Sequence, residues 1–169
     1  PGKILVSDAN GTGSWQPATI GFEAIGSFPA ISNFQSINAG GGTPTVVTIF
    51  NNEQSDLNNL YNPATGIVTI PVNGTYHVDV NLGYGQCTSG RYTIYLQQIS
   101  TGGSVSDLRV VNQTIPPGAV LNHDLQLVIS CNVTLTAGTR LRIATDHNAS
   151  GSQIILGAFF SWFNVHRVF

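Results

Sequence analysis

His77, Asp79 and Asn81 stand at alternate positions in "TYHVDVNLGY", interleaved with Tyr76, Val78, Val80 and Leu82. Strict alternation makes a strand with one apolar face, so the three polar side chains share the other, with Cα atoms about 6.5 to 7 Å apart. Imidazole suits Zn²⁺, and carboxylate and amide oxygens suit Ca²⁺. His77 and Asp79 are the candidate ligands for either ion. A solvated outer face explains the same row without an ion, and we adopt that reading and assign no cofactor. A second polar group comprises Asp124 in "HDLQ" and Asp146, His147 and Asn148 in "ATDHNASGS". Oxygen-rich stretches beside Gly can hold Ca²⁺, but neither has the spacing of a calcium loop.

Catalysis finds little support. A hydrolase needs a Ser or Cys nucleophile beside a base and an orienting group, and no G-x-S-x-G occurs. Glu23 and Glu53 are the only glutamates, so a glycosidase pair would depend on Asp. No phosphate loop or dinucleotide fingerprint is present. The chain is therefore read as a non-enzyme.

Composition narrows the class. Only 8% of the 169 residues are charged while 41% are hydrophobic, and polarity comes from Asn, Thr, Ser, Gln and Gly. A net charge of −2 without a Lys/Arg cluster offers no long-range attraction for nucleic acid or anionic lipid. No apolar run reaches membrane-spanning length, so no membrane insertion is expected. Sequons at Asn10, Asn73, Asn112, Asn132 and Asn148 are only a slight excess over what a chain this rich in Asn, Ser and Thr produces by chance, and do not argue for a glycoprotein.

The elements that must position these residues are strands. No segment sustains a helical period, and short β-rich runs recur between Gly, Pro, Asn and Asp clusters. The pattern predicts strands at 20–28, 46–50, 67–72, 75–84, 91–98, 125–135, 140–145 and 154–166, an all-β antiparallel sandwich or jelly roll. Asn73-Gly74 between two alternating runs predicts a tight hairpin. In the last run, Ile155, Phe159, Phe163 and Val165 share one face; Ile154, Leu156, Ala158, Phe160 and Trp162 share the other. Two apolar faces call for two covers, and Phe and Trp are residues that interfaces favour. Phe159, Phe160, Trp162 and Phe163 are accordingly expected at a subunit interface. Cys131 falls on the inward parity of its strand and Cys87 in a Gly-flanked loop, which leaves their pairing open.

Asn62-Pro63-Ala64-Thr65-Gly66, Pro71, Gly74 and Tyr76, then Leu135, Ala137 and Gly138, then Gly157, carry a resemblance over residues 20–169. They resemble the globular head of the complement first-component q subunit and its tumour necrosis factor relatives. That resemblance implies a ten-stranded jelly roll, a tight homotrimer with the last strand near the threefold axis, and a recognition module. The segment 86–124 is longer and more polar than the family leads one to expect. Residues 1–19 read as a connector from an upstream stalk. "GKILVSDANGTGSWQ" looks like passages that precede head domains in fibrous surface proteins of Bacteroidetes and in the fibres or spikes of their phages. The chain, which begins without Met, reads as a piece of such a protein, extracellular and on a virion or bacterial surface. Its receptor would be a cell-surface glycan or protein, met by loops at one end of the sandwich: 85–91 with Tyr84 and Arg91, 100–124 with Asp124, and 145–153 with Asp146, His147 and Asn148. A trimerisation knob without ligand, or a secreted ligand of the complement or tumour necrosis type, are the alternatives.

Overall fold

The computed structural model describes residues 3–8, 10–17, 20–26, 34–39, 43–56, 58–118, 125–157 and 160–168. Its strands are β1 (Lys3–Ser7), β2 (Gly13–Pro17), β3 (Gly21–Ile25), β4 (Phe34–Ile37), β5 (Thr45–Val46), β6 (Asn52–Asp56), β7 (Tyr61–Asn62) and β8 (Ile67–Thr69). They continue with β9 (Gly74–Gly85), β10 (Gly90–Ile99), β11 (Val105–Ile115), β12 (Leu125–Leu135), β13 (Arg140–His147), β14 (Gln153–Leu156) and β15 (Trp162–Arg167). Among the described residues there is no α-helix, as the missing helical period led one to expect.

Two antiparallel sheets form a sandwich. One runs β4-β14-β9-β15-β3-β6, with β12 on the far side of β9; the other runs β11-β10-β13-β8-β7, with β5 against β13. Alternation on β9 and β12 turns Tyr76, Val78, Val80, Leu82, Leu127 and Ile129 inward, where they meet Ile94, Leu96, Leu141 and Ile143 of the opposite sheet. Beside them the Phe22 and Tyr61 rings stack with centroids 4.8 Å apart. Phe163 stands edge-on to Phe22 at 5.0 Å.

The expected hairpin at Asn73-Gly74 is not one. β8 pairs with β13 and β7, whereas β9 pairs with β12, β14 and β15 in the other sheet. Neither Asn73 nor Gly74 takes the positive φ of a type I′ turn. Pro71 lacks an N–H for a ladder, so the chain crosses from sheet to sheet there instead. The residues behind the family resemblance hold that crossing. Ile70 N donates to Thr139 O and Gly138 N to Ile70 O, each at 2.8 Å. Asn73 Oδ1 accepts from Ala137 N at 2.8 Å. Within "NPATG", Asn62 Oδ1 accepts from Ala64 N at 3.0 Å. Gly66 follows at φ 67°, where a Cβ would stand 2.4 Å from Val47 O, so glycine is required.

Other elements depart from expectation in informative ways. β11 is a strand of 11 residues inside a stretch read as loop. It forms the sheet edge with most of its residues exposed, and its register shifts opposite Leu96/Gln97, which blurs the alternation. The terminal run is two strands, β14 and β15, separated at 157–161. Residues of the 1–19 connector pair as a β1–β2 hairpin, with Asp8 Oδ1 accepting from Asn10 N and Thr12 N in the turn. Leu5 and Trp15 face each other across it and stay exposed. No disulfide joins Cys87 to Cys131.

Candidate interface and ligand-binding surface

The outer face of the sheet that holds β9 divides into an apolar and a polar half. Register places Leu156 opposite both Phe34 and Gly83, and Trp162 opposite Ile25 and Asn81. Phe34 is 50% exposed, and Ile25, Ile154, Leu156, Phe160 and Trp162 are half-buried. The chain at 160–161 lies directly on β9: a Cβ on Gly83 would stand 2.8 Å from Phe160 Cβ. Asn81 Nδ2 donates to Phe160 O at 2.7 Å, and Ser161 Oγ accepts from Gly83 N at 3.0 Å. Asn81 is thus buried and committed to holding this turn, which removes it from the polar row.

The polar half retains His77 and Asp79. His77 Nε2 lies 3.0 Å from Asp79 Oδ2, and His77 Nδ1 lies 2.8 Å from Asn132 Oδ1 on β12. His166 of β15 packs its ring 5.2 Å from that of His77. Both ring nitrogens therefore meet acceptor oxygens, which favours the imidazolium. The Asn132 hydrogen bond is the largest influence raising the His77 pKa, and the Asp79 charge adds to it. The geometry is that of a hydrogen-bonded row. Among the described residues no three His, Cys, Asp or Glu side chains converge as metal ligands would.

Several expected site residues lie elsewhere. Tyr84 is fully buried: its hydroxyl bonds Thr145 Oγ1 within the core, and burial raises its pKa. An inward position on β9 explains this, since Tyr84 continues the parity of Leu82. His147 is 1% exposed, with Nε2 donating to Ile37 O at 3.0 Å and its ring stacked on Tyr92. Asp146 is 7% exposed and accepts from the Tyr95 hydroxyl at 3.0 Å. Both were read as loop residues, but β13 continues to His147 and takes them into the ladder. Phe163 is also not a surface residue. It shares the inward face with Ile155 and Val165 and is fully buried in its own chain. Asp124 and Phe159 lie outside the described residues.

Arg91 and Asn148 are exposed, and the structure brings them together. Arg91 N donates to Asn148 Oδ1 at 2.6 Å, and Asn148 N donates to Arg91 O at 3.0 Å. Around them Ser89, Gly90, Thr114, Ile115 and Pro117 complete a cleft of about 490 Å³ at the end of the sandwich. Thr114 and Pro117 were not singled out from the sequence. Both fall in the 100–124 region expected at the binding surface, and the register of β11 on β10 sets Thr114 opposite Arg91.

No family model and no curated protein sequence matches the chain. Among solved structures it is similar to the Eiger TNF of S. frugiperda, with a TM-score of 0.70 and 15% identity over 89% of this chain and 93% of that one. It is also similar to the globular domain of zebrafish complement 1qA protein, with a TM-score of 0.59 and 17% identity over 89% and 98%. At such identities the likeness is one of fold: a jelly roll of the tumour necrosis factor and complement-head kind.

Proposed function

We propose that this jelly roll is the homotrimeric recognition head of an extracellular fibre or spike, on a phage or bacterial surface, and that it binds a cell-surface glycan or protein. The observation that carries this reading is the outer face of the β9 sheet. Its inner face already fills the core, yet Phe34, Leu156, Phe160 and Trp162 leave an apolar band facing outward. A second and third copy around a threefold axis would cover that band, with β15 near the axis. In this reading residues 1–19 are the connector to a stalk. Their exposed Leu5 and Trp15 also call for cover, because a lone two-stranded hairpin is marginal in water. The head recognises its target and performs no catalysis.

Binding of the labelled protein to whole bacteria and to a glycan array, run beside its mass in solution, tests the proposal. A trimer that binds a defined target is the expected result. A trimer that binds neither cells nor glycans would leave a trimerisation knob, and a monomer would remove the assembly altogether.

A further inference from the structure

The cleft around Arg91 has a chemistry of its own. Gly90 and Arg91 open β10 opposite Ile115 and Thr114. Asn148 extends the β13 ladder past its end through its backbone bond to Arg91. The platform is tightly built: Gly90 sits at φ 149°, and a Cβ there would lie 2.6 Å from Ala149 Cα. Asn148 spends its carbonyl oxygen on Arg91 N, which leaves its Nδ2 as a donor. Among the described residues the exposed Arg91 guanidinium makes no hydrogen bond or ion pair. None of the lining residues is acidic, and Ser89 and Thr114 add hydroxyls while Pro117 gives an apolar wall.

A planar fork of donors matches a carboxylate in bidentate fashion. Neutral amide and hydroxyl groups around a single cation match ring hydroxyls better than a phosphate, which draws several cations or a run of backbone N–H groups. We propose that this cleft binds a carboxylate-bearing saccharide. Arg91 grips the carboxylate, Asn148, Ser89 and Thr114 hydrogen-bond the hydroxyls, and Pro117 lies against the apolar side of the ring. This rests on the recognition-head reading and names its ligand class.

The test uses the full chain and isothermal titration. The probes are 3′-sialyllactose and a hyaluronan tetrasaccharide as carboxylated sugars, lactose as a neutral one, and glucose 6-phosphate. At least one carboxylated sugar is expected to bind tenfold or more tighter than lactose. Arg91→Ala is expected to weaken it by about tenfold or more, the usual worth of a hydrogen-bonded charge. Arg91→Lys should recover part of the loss, and unchanged mass and melting temperature of both variants exclude misfolding. Failure of both carboxylated probes to bind, tighter binding of glucose 6-phosphate, or indifference to Arg91→Ala would each overturn the assignment. Cell or glycan-array binding that survives Arg91→Ala would leave the recognition head standing with its site elsewhere. A wild-type protein that binds no cell and no glycan would sink both.

Discussion

Phe163→Ala removes a ring that solvent does not reach, held edge-on to Phe22 at 5.0 Å and tilted against Phe50 at 5.7 Å. The lost transfer energy plus the cavity left behind amount to about 3–5 kcal/mol. In a chain of this length each kcal/mol moves the melting temperature by about 2–4 °C, so a fall of roughly 6–20 °C is expected. Trp162, the neighbouring residue, points to the opposite face and is half-buried. Trp162→Ser should therefore leave each subunit folded and instead weaken the proposed trimer. Thermal unfolding by circular dichroism at several protein concentrations, beside light scattering, separates the two. Phe163→Ala lowers the melting temperature at every concentration; Trp162→Ser lowers the mass, and its melting loses concentration dependence. If Trp162→Ser kept its mass and lost as much melting temperature as Phe163→Ala, both faces of β15 would be core of one chain. The assignment of its outer face to a partner would then be wrong.

The raised pKa of His77 makes stability depend on pH with a defined sign. Its folded value lies above the unfolded one, so its contribution is fully present below the unfolded pKa of about 6.5 and is lost as pH rises through the folded value. Melting temperatures between pH 5 and 9 should fall along that limb in the wild type, and the fall should be shallower in His77→Gln; parallel curves would show that the His77–Asn132–Asp79 contacts contribute nothing. Gly90→Ala forces a Cβ onto Ala149 at 2.6 Å from a backbone conformation that costs about 1–3 kcal/mol for other residues. Urea unfolding should register that loss, and an unchanged midpoint would mean that the 148–149 loop yields freely. Asn73→Ala strips the acceptor from Ala137 N and should cost about 1 kcal/mol in the same assay; no change would show that this tie between the two motifs is not needed.

The sequence revealed the all-β class and the inward faces of β9 and β12 because period-two alternation is written within single elements. β12 runs over the 125–135 expected for it, and Ile155, Phe163 and Val165 turn inward while Phe160 and Trp162 do not. It did not reveal pairing partners. Asn73-Gly74 has the local chemistry of a hairpin, but Pro71 and the docking of residues 137–139 onto Ile70 and Asn73 send the chain to the other sheet. β11 was missed because an edge strand need not alternate when little of it is buried. The site suffered for the same reason. Asp146 and His147 look like loop polars beside "NASGS", but tertiary pairing with β10 continues the strand through them. Asn81 looked equivalent to His77 and Asp79 until the 160–161 turn folded over it. Arg91 and Asn148, in contrast, occupy true loop margins at strand ends, where local reading is enough to expect their exposure.

The measurement to make first is the mass in solution by light scattering, with and without EDTA. A mass near three times 17.9 kDa in both conditions is expected, with the apolar band of the β9 sheet shared among the copies. A trimer that dissociates in EDTA would bring His77 and Asp79 back as cation ligands. A monomer at every concentration would contradict the shared face and, with it, the trimeric head.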